Sequence, residues 1–329
     1  EEFPVETIFS GPAASTLGVQ ALTGPGETAV VVDIGGTTTD LALILSGQPL
    51  LSAKGARVMD QLTQVRTLAV KSVAIGGDSV LSRTGNDINI HSRREGQAYC
   101  LGGPAPTPTD ALRVIGMTDL GDRDKAVEAM ALLGEGMHLS PEEVAVCVVN
   151  RVVDSITAEI KRMFREWEQE PAYRVWEILH KHTLKPTIVA GVGGGAAGFS
   201  ARIAEKLGCP YVVPKYASAA NAIGAALAKP TLQVNLRADT EQGYYIIQEE
   251  GRQEKISDRQ FNEKKALELA KESLVNRALK YGLELAPDEI EVTRQEVFNM
   301  IRGWDTTGRL YDITVQTPRG IIARIGAGE

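Results

Sequence analysis

An eight-residue segment with an aspartate at each end constrains this chain more than any other feature of its sequence. It reads Asp-Ile-Gly-Gly-Thr-Thr-Thr-Asp over residues 33–40, between the apolar runs Ala29–Val32 and Leu41–Leu45. Two short apolar runs around a Gly-Thr turn predict a β-hairpin. Glycines at the turn let several backbone N–H groups approach one anion, and carboxylates at its ends can hold Mg²⁺ through its water shell. The segment therefore predicts a phosphate and magnesium site, with an ordinary glycine-rich hairpin as the alternative.

A second glycine-rich segment follows at residues 191–198. A short apolar strand, Thr187–Ala190, runs into it, and a helix is predicted from about Phe199 to Leu207. A glycine-rich strand end that leads into a helix N-terminus favours a phosphate or a nucleotide, because the helix dipole and the unpaired N–H groups attract negative charge. The spacing differs from that of the Rossmann fingerprint and the P-loop, so close strand–helix packing without a ligand stays open.

The length and the charge of the chain limit what it can do. Its 329 residues are enough for about two domains. With 35 Lys and Arg against 42 Asp and Glu, the net charge is −7, which disfavours electrostatic binding to the phosphate backbone of nucleic acid. No apolar run approaches the ~20 residues of a membrane span, and the three cysteines have no metal-like spacing. We therefore expect a cytoplasmic protein with no nucleic-acid or membrane partner.

The composition changes near residue 230. Residues 1–230 contain both glycine segments and predict an α/β lobe, whereas residues 231–329 predict a smaller α+β domain of unknown role. In the lobe, Ser140–Glu143 forms a capping box at the start of a long helix that is predicted to end near Glu170–Pro171. This helix has one apolar stripe, made of Val144, Val148, Val152, Ile156, Ile160 and Phe164.

Three other segments carry structural predictions. Residues 83–110 are polar and rich in Gly and Pro, which predicts a long surface excursion. Alternation over residues 311–316 predicts a half-buried strand. In the last hundred residues, one helix is predicted with an apolar face made of Leu267, Ala270, Leu274, Ala278 and Tyr281.

Taken together, the two glycine segments resemble the second phosphate loop and the adenosine motif of the actin-like ATPases. The resemblance implies a ribonuclease H-like (actin-like ATPase) fold and two cofactors, ATP and Mg²⁺. It implies that Asp33 and Asp40 face Mg²⁺ and the attacking water or γ-phosphate, with Asp33 the metal-binding residue. It also implies a set of nucleotide-binding residues, namely Gly35, Gly36, Thr37 and Thr38 at the phosphate and Gly193, Gly194 and Gly195 at the nucleoside.

More narrowly, the chain resembles the hydantoinase A/oxoprolinase family. Four pieces match in order and spacing, namely Phe9–Ala14, Asp33–Asp40, Val73–Ser79 and Pro108–Gly116. Members of that family use ATP to open cyclic amides such as hydantoins and oxoproline. The resemblance therefore implies a small cyclic-amide substrate whose carbonyl is activated by phosphorylation.

The same resemblance assigns residues to the substrate side of the site. Gly76, Gly77 and Asp78 are substrate-side candidates, and Asp110 is a candidate catalytic residue. Aspartates at such positions are equally typical of turns and helix caps, so a structural role for Asp78 and Asp110 stays open.

One departure from the family pattern concerns the start of the chain. Family members begin with another Asp-x-Gly-Gly-Thr loop, which this sequence lacks. We therefore expect an N-terminal lobe that was removed or belongs to another chain, a hydantoinase B-type partner subunit, and weak nucleotide binding with little turnover by these residues alone. The alternatives are an actin-like ATPase that acts as a chaperone or reactivating factor, and a structural module whose nucleotide site is empty.

Overall fold

The computed structural model describes most of the chain, namely residues 10–23, 28–45, 48–50, 52, 57–58, 61–62, 68–168, 185–258 and 260–325. The contacts divide the chain into two compact units. The first comprises Glu1–Ala228 with Ile321–Glu329, and the second comprises Lys229–Gly320. The division expected from the sequence was 1–230 and 231–329. The difference at the end of the chain arises because Ile321 pairs with Ala228 in a β-bridge of the first unit.

The first unit alternates strands and helices. Its strands are β1 Ala29–Ile34, β2 Thr39–Leu45, β3 Gln48–Pro49, β4 Arg57–Val58, β5 Gln61–Leu62, β6 Val70–Val73, β7 Leu81–Thr84, β8 Asp87–Ile90, β9 Ile188–Val192 and β10 Tyr211–Val212. Its helices are α1 Ser10–Thr23, α2 Pro108–Val114, α3 Arg123–Leu133, α4 Pro141–Glu168, α5 Ala196–Leu207 and α6 Ala220–Leu227. Short 3-10 turns occur at Tyr99–Leu101 and Ala217–Ala219.

A six-stranded sheet forms the centre of this unit, in the order β10-β9-β1-β2-β3, with β6 also paired to β2. The predicted hairpin is confirmed, because β1 and β2 are antiparallel with Asp33 opposite Asp40. Strand β9 runs parallel to β1 and places Val192 beside Asp33. The C-terminal ends of β1 and β9 and the N-terminal end of β2 therefore lie side by side at one end of the sheet. This brings both glycine-rich segments together.

Helices cover both faces of this sheet. On one face α4 and α5 pack against Val30, Val32, Leu41 and Leu43, and on the other α1 and α6 pack against Ala29, Val31, Ala42 and Ile44. All six residues of the predicted α4 stripe are buried. A sheet covered on both faces needs strands that are apolar on both sides, as these are. The predicted α/β architecture of this lobe is confirmed.

Helix α4 begins as predicted. The Ser140 N–H donates to the Glu143 carboxylate at 2.8 Å, and the Glu143 N–H donates to Ser140 Oγ at 3.2 Å. The helix is described as far as Glu168, and its predicted end near Glu170–Pro171 lies outside the described residues. None of the helices that the structure describes has the length and apolar character needed to cross a membrane.

The prediction of a long surface excursion over residues 83–110 is wrong in part. The segment contains most of the β7–β8 hairpin, which begins at Leu81, and a 3-10 turn. Ile88, Ala98 and Cys100 in it are buried. These three apolar side chains belong to the main core of the unit. They are too widely spaced in sequence to form a periodic pattern, so composition alone pointed to a loop.

The second unit is an antiparallel sheet with one helix on it. Its sheet has the order β13-β12-β11-β15-β14. The elements are β11 Gln233–Asp239, β12 Tyr244–Ile247, a 3-10 turn at Gln248–Glu250, β13 Arg252–Lys255, α7 Glu263–Lys280, β14 Glu291–Arg302 and β15 Asp305–Gln316. The predicted strand over 311–316 is confirmed within β15. The predicted face of α7 is shifted, because Ala266 is buried in place of Tyr281, which is 57% exposed just beyond the helix end.

Candidate functional site

The loop between β1 and β2 closes on itself and leaves donors available. The Gly35 N–H donates to the Thr38 carbonyl at 2.9 Å, which closes the turn. No described residue accepts a backbone hydrogen bond from the N–H of Gly36, Thr37 or Thr38. Thr37 is exposed and the other loop residues are half-buried. The loop therefore presents adjacent N–H donors to which an anion could bind.

A second turn, Gly76–Asp78, is fastened to this loop. The Gly77 N–H donates to the Gly35 carbonyl at 2.9 Å, and the Asp78 N–H donates to the Gly36 carbonyl at 2.7 Å. These bonds use two loop carbonyls and leave the loop N–H groups unaffected. The turn predicted on the substrate side therefore lies directly against the predicted phosphate loop.

The Asp78 carboxylate lies beside the loop in an ion pair. Its Oδ2 lies 2.8 Å from Arg94 Nη2, and a Cβ placed on Gly36 would lie only 2.7 Å from the same oxygen. Arg94 Nε also donates to the Gly96 carbonyl at 2.8 Å. Burial raises the pKa of Asp78, the charge of Arg94 lowers it, and that of Asp110 raises it. The guanidinium thus offsets part of the cost of burying this carboxylate.

Residues 193–195 of the second glycine-rich segment follow β9 and lie against the end of β1. Gly193 has a φ of 84°, and a Cβ there would lie 2.5 Å from Asp33 Oδ1, so the position requires glycine. The Gly195 N–H donates to the Ile34 carbonyl at 3.0 Å. Gly194 faces open space, because a Cβ there would meet no atom within 4 Å. The backbone of Gly193 therefore lies directly against Asp33, and the next residue, Gly194, has open space at its Cβ position.

A chain of hydrogen bonds from two helices holds Asp33. Ser15 Oγ of α1 donates to Asp33 Oδ2 at 2.5 Å. Asn221 of α6 donates through Nδ2 to Ser15 Oγ at 3.3 Å and to the Gly11 carbonyl at 2.9 Å. One carboxylate oxygen is thus fixed from the α1–α6 side, whereas the other faces Gly193. This arrangement orients Asp33 without neutralising its charge.

Asp40 lies opposite Asp33 at the start of β2. Burial raises the pKa of Asp40, a hydrogen bond from Ser72 lowers it, and the charge of Asp33 raises it further. Neither Asp33 nor Asp40 forms an ion pair with any residue that the structure describes. The two facing carboxylates therefore carry uncompensated negative charge, which favours a cation between them.

We expect Asp40→Asn to raise the melting temperature by a few degrees at pH 7. The pKa of Asp40 is raised from 3.8 in the folded state, so the folded chain binds this proton more tightly than the unfolded chain. The free energy of unfolding therefore falls as the pH rises from the unfolded-state pKa of Asp40 to its higher folded-state pKa. The stability lost in this way is still missing at neutral pH. Thermal melts from pH 7.5 down to pH 4 should show the advantage of the variant shrinking. A variant less stable than the wild type at pH 7 would contradict the argument.

Asp110, which the sequence predicts as a catalytic residue, is bound within the fold at the start of α2. Its carboxylate is fully buried. It accepts the Tyr99 N–H at 3.2 Å, the Cys100 N–H at 2.7 Å, and the N–H and Oγ of Thr107 at 2.8 Å each. This is a capping box at the start of α2 that also fastens the 3-10 turn. The structure thus favours the helix-cap interpretation, and Asp110 has no part in the site proposed below.

We expect Asp110→Ala to lower the free energy of unfolding by about 3 kcal/mol, because it leaves several buried donors without an acceptor. Urea denaturation measures this effect. Asp124→Ala is the matched control, since Asp124 is exposed in the first turn of α3 and its loss should change stability by less than about 0.5 kcal/mol. If Asp110→Ala were as stable as the wild type, the carboxylate would have another role.

The residues present fit a magnesium nucleotide better than a bare metal ion. Within the described part of the chain, no group of three or more His, Cys, Asp or Glu side chains could hold a metal. Mg²⁺ usually keeps several waters and takes only one or two carboxylates together with substrate phosphates. Asp33 and Asp40 match that donor set, and the open space at Gly194 leaves room for a ligand.

Three residues at the site were not identified from the sequence. Ser15 and Asn221 hold Asp33, and Arg94 pairs with Asp78 beside the loop. Ser15 directly follows a segment that matches the family. Asn221 is a polar residue in an otherwise small and apolar helix, and that contrast was the available signal. Nothing in the sequence around Arg94 distinguishes it from its neighbour Arg93.

The chain matches one protein-family model, described as Hydantoinase/oxoprolinase, over residues 1–234. No curated protein is similar enough in sequence to count as a relative.

The chain is similar to a solved structure of acetone carboxylase, a nucleotide-free form from work on the mechanism of ATP-dependent acetone carboxylation. The match has a TM-score of 0.60 at 17% identity and covers 95% of this chain and 50% of that chain. The chain thus spans about half the length of that protein. An activator of 2-hydroxyisocaproyl-CoA dehydratase from Clostridium difficile with bound ADPNP has a TM-score of 0.35 at 15% identity, covering 66% and 64% of the two chains. An archaeal actin homologue has a TM-score of 0.32 at 17% identity, covering 65% and 52%.

Proposed function

The chain belongs to the hydantoinase/oxoprolinase family, and from this we propose that it is the nucleotide-binding part of an ATP-dependent enzyme that opens cyclic amides. An amide carbonyl is a poor electrophile. ATP, when bound, would supply a phosphoryl group that makes the amide oxygen a leaving group. The contribution of this chain is to hold the phosphates and to orient them.

One observation carries the proposal, namely the loop at residues 35–38. The N–H groups of Gly36, Thr37 and Thr38 have no described backbone acceptor, and the loop is bonded to the Gly76–Asp78 turn. It directly follows Ile34, whose carbonyl lies close to Gly193. Phosphoryl transfer depends mainly on positioning and on neutralising charge. In this proposal the loop N–H groups bind phosphate oxygens, and Asp33 and Asp40 hold Mg²⁺ through its waters.

The residues around the loop have distinct tasks in the proposal. Ser15 and Asn221 keep Asp33 in one orientation. The glycines at 193–195 let the nucleoside side of the ligand approach the backbone. The Gly76–Asp78 turn faces the transferred group and is the position for the cyclic amide. A second lobe that closes over the nucleotide and a hydantoinase B-type subunit complete the proposed enzyme.

The test is phosphate release by the full-length protein together with its partner subunit. Release should require ATP and a cyclic amide, with hydantoin and 5-oxoproline as the first two substrates. An acyclic amide of similar size is the control and should give only the background rate. Release that depends on a partner protein and is indifferent to every cyclic amide would contradict the proposal and favour a chaperone or reactivating factor.

A further inference from the structure

Arg94 lies at the phosphate loop without being part of it. A Cβ on Gly36 would lie 3.8 Å from Arg94 Cζ, so the guanidinium lies close to the middle of the loop. Its Nη2 pairs with Asp78 Oδ2 at 2.8 Å, and its Nε donates to the Gly96 carbonyl. The Arg94 side chain is 47% exposed, whereas that of Asp78 is 16% exposed. The carboxylate is therefore held against the loop, and the guanidinium reaches over it toward solvent.

Three carboxylates lie around the phosphate loop, and Arg94 is paired with one of them. Asp33, Asp40 and Asp78 bring three carboxylates to one loop, which repels the phosphates of a nucleotide. Among the ion pairs of the described residues, only that of Arg94 involves one of these carboxylates. A magnesium ion can offset the charge near Asp33 and Asp40. Arg94 is the positive group beside Asp78 and the middle of the loop.

On the basis of the proposed function, we propose that Arg94 binds the outermost phosphate of a nucleotide held on residues 35–38. In the absence of a nucleotide, Asp78 is the partner of the guanidinium. When a phosphate is bound, its oxygens compete for the same N–H donors, and an arginine can pair with phosphate through two parallel hydrogen bonds. The Arg94 side chain is 47% exposed, so its guanidinium is accessible to a phosphate that approaches from solvent.

The test compares two nucleotides on the full-length protein. Binding of ADP and of a non-hydrolysable ATP analogue, each with Mg²⁺, is measured by titration calorimetry on the wild type and on Arg94→Gln. We expect the affinity for the ATP analogue to fall by about 10-fold, the usual worth of a charged hydrogen bond, and the affinity for ADP to stay within about twofold. Arg94→Lys should recover part of the loss, because it keeps the charge but loses the paired geometry.

Arg93→Gln is the matched control. It removes the neighbouring arginine, which pairs with Glu95 at 2.8 Å and is 67% exposed. We expect it to bind both nucleotides as the wild type does. Asp78→Asn gives a second measurement that does not depend on the Arg94 variants, since removing the competing carboxylate should tighten binding of the ATP analogue.

The outcomes separate this inference from the proposed function. If the wild type binds neither nucleotide, both are overturned. If the wild type binds both and Arg94→Gln binds them equally well, only the role of Arg94 is overturned. Equal losses for ADP and the ATP analogue would also overturn it, because they would place the contact on an inner phosphate. Weaker or unchanged binding of the ATP analogue by Asp78→Asn would show that the carboxylate does not compete.

Discussion

Asp33→Asn is expected to weaken magnesium-dependent nucleotide binding by about 100-fold, the upper range for losing an outer ligand of a metal ion. The substitution keeps the size of the side chain and an oxygen that can accept the hydrogen bond from Ser15 Oγ, so the orientation should persist. It removes the negative charge that faces Asp40 across the strand pair. A carboxylate that holds a magnesium ion through water acts by that charge, and an amide oxygen is a poor substitute.

The same substitution should leave the fold intact. The charge of Asp33 is one of the causes that raise the pKa of Asp40, so its removal relieves repulsion between two facing carboxylates. We therefore expect a melting temperature equal to or slightly above that of the wild type. Loss of binding with a preserved melting temperature separates a ligand-binding role from a structural one.

The measurement is a calorimetric titration with a magnesium nucleotide, repeated in EDTA. Asp122→Asn is the matched control, because Asp122 caps α3 by accepting the N–H groups of Asp124 and Lys125, and asparagine caps a helix equally well. This variant loses the same charge elsewhere and should bind as the wild type does. Unchanged affinity in Asp33→Asn would refute the assignment of the site. A loss that persists in EDTA would mean that Asp33 acts on the nucleotide without the metal.

The features that the sequence predicted correctly are local ones. The hairpin around residues 33–40 follows from two apolar runs and a Gly-Thr turn, and the stripe of α4 follows from a four-residue repeat. The contact between the two glycine-rich segments depends on pairing between strands that are far apart in sequence. It follows because β9 is parallel to β1, so the ends of both strands reach the same edge of the sheet.

The features that the sequence did not predict depend on contacts between distant segments. Asp110 has the same residue type as Asp33 and is in a family-like motif, yet it points inward, because the turn at residues 99–100 needs an acceptor. The spacing of Thr107 and Asp110 is that of a capping box, so a local pattern does indicate the helix cap. The bonds from Tyr99 and Cys100 depend instead on contact with another segment. The roles of Ser15 and Asn221 likewise appear only when α1 and α6 are packed together.

The packing of α1 against α6 leads to a large expected loss of stability in Gly224→Ala, as large as that expected for Asp110→Ala. A Cβ on Gly224 would lie 1.8 Å from the Ala14 carbonyl oxygen and 2.5 Å from the Gly18 nitrogen. Both atoms belong to the backbone of α1, so no side chain can rotate away and one helix must move. Overpacking a core typically costs 1–3 kcal/mol, and a backbone clash belongs at the top of that range. We expect a loss of about 3 kcal/mol, which for a unit of this size is roughly 10 °C in melting temperature.

The displacement should also reach the site, because Ser15 and Asn221 lie on the two helices that would separate. We therefore expect the surviving folded fraction of Gly224→Ala to bind a magnesium nucleotide less tightly. Gly11→Ala is the matched control on α1. A Cβ there would meet only Asn221 Nδ2 at 3.8 Å, an ordinary contact, and alanine favours the helix. Thermal melts and urea denaturation of both variants measure the difference. Equal stability of Gly224→Ala and the wild type would mean that α1 and α6 are not held at this close approach, and Asp33 would then lose the support from which its orientation is argued.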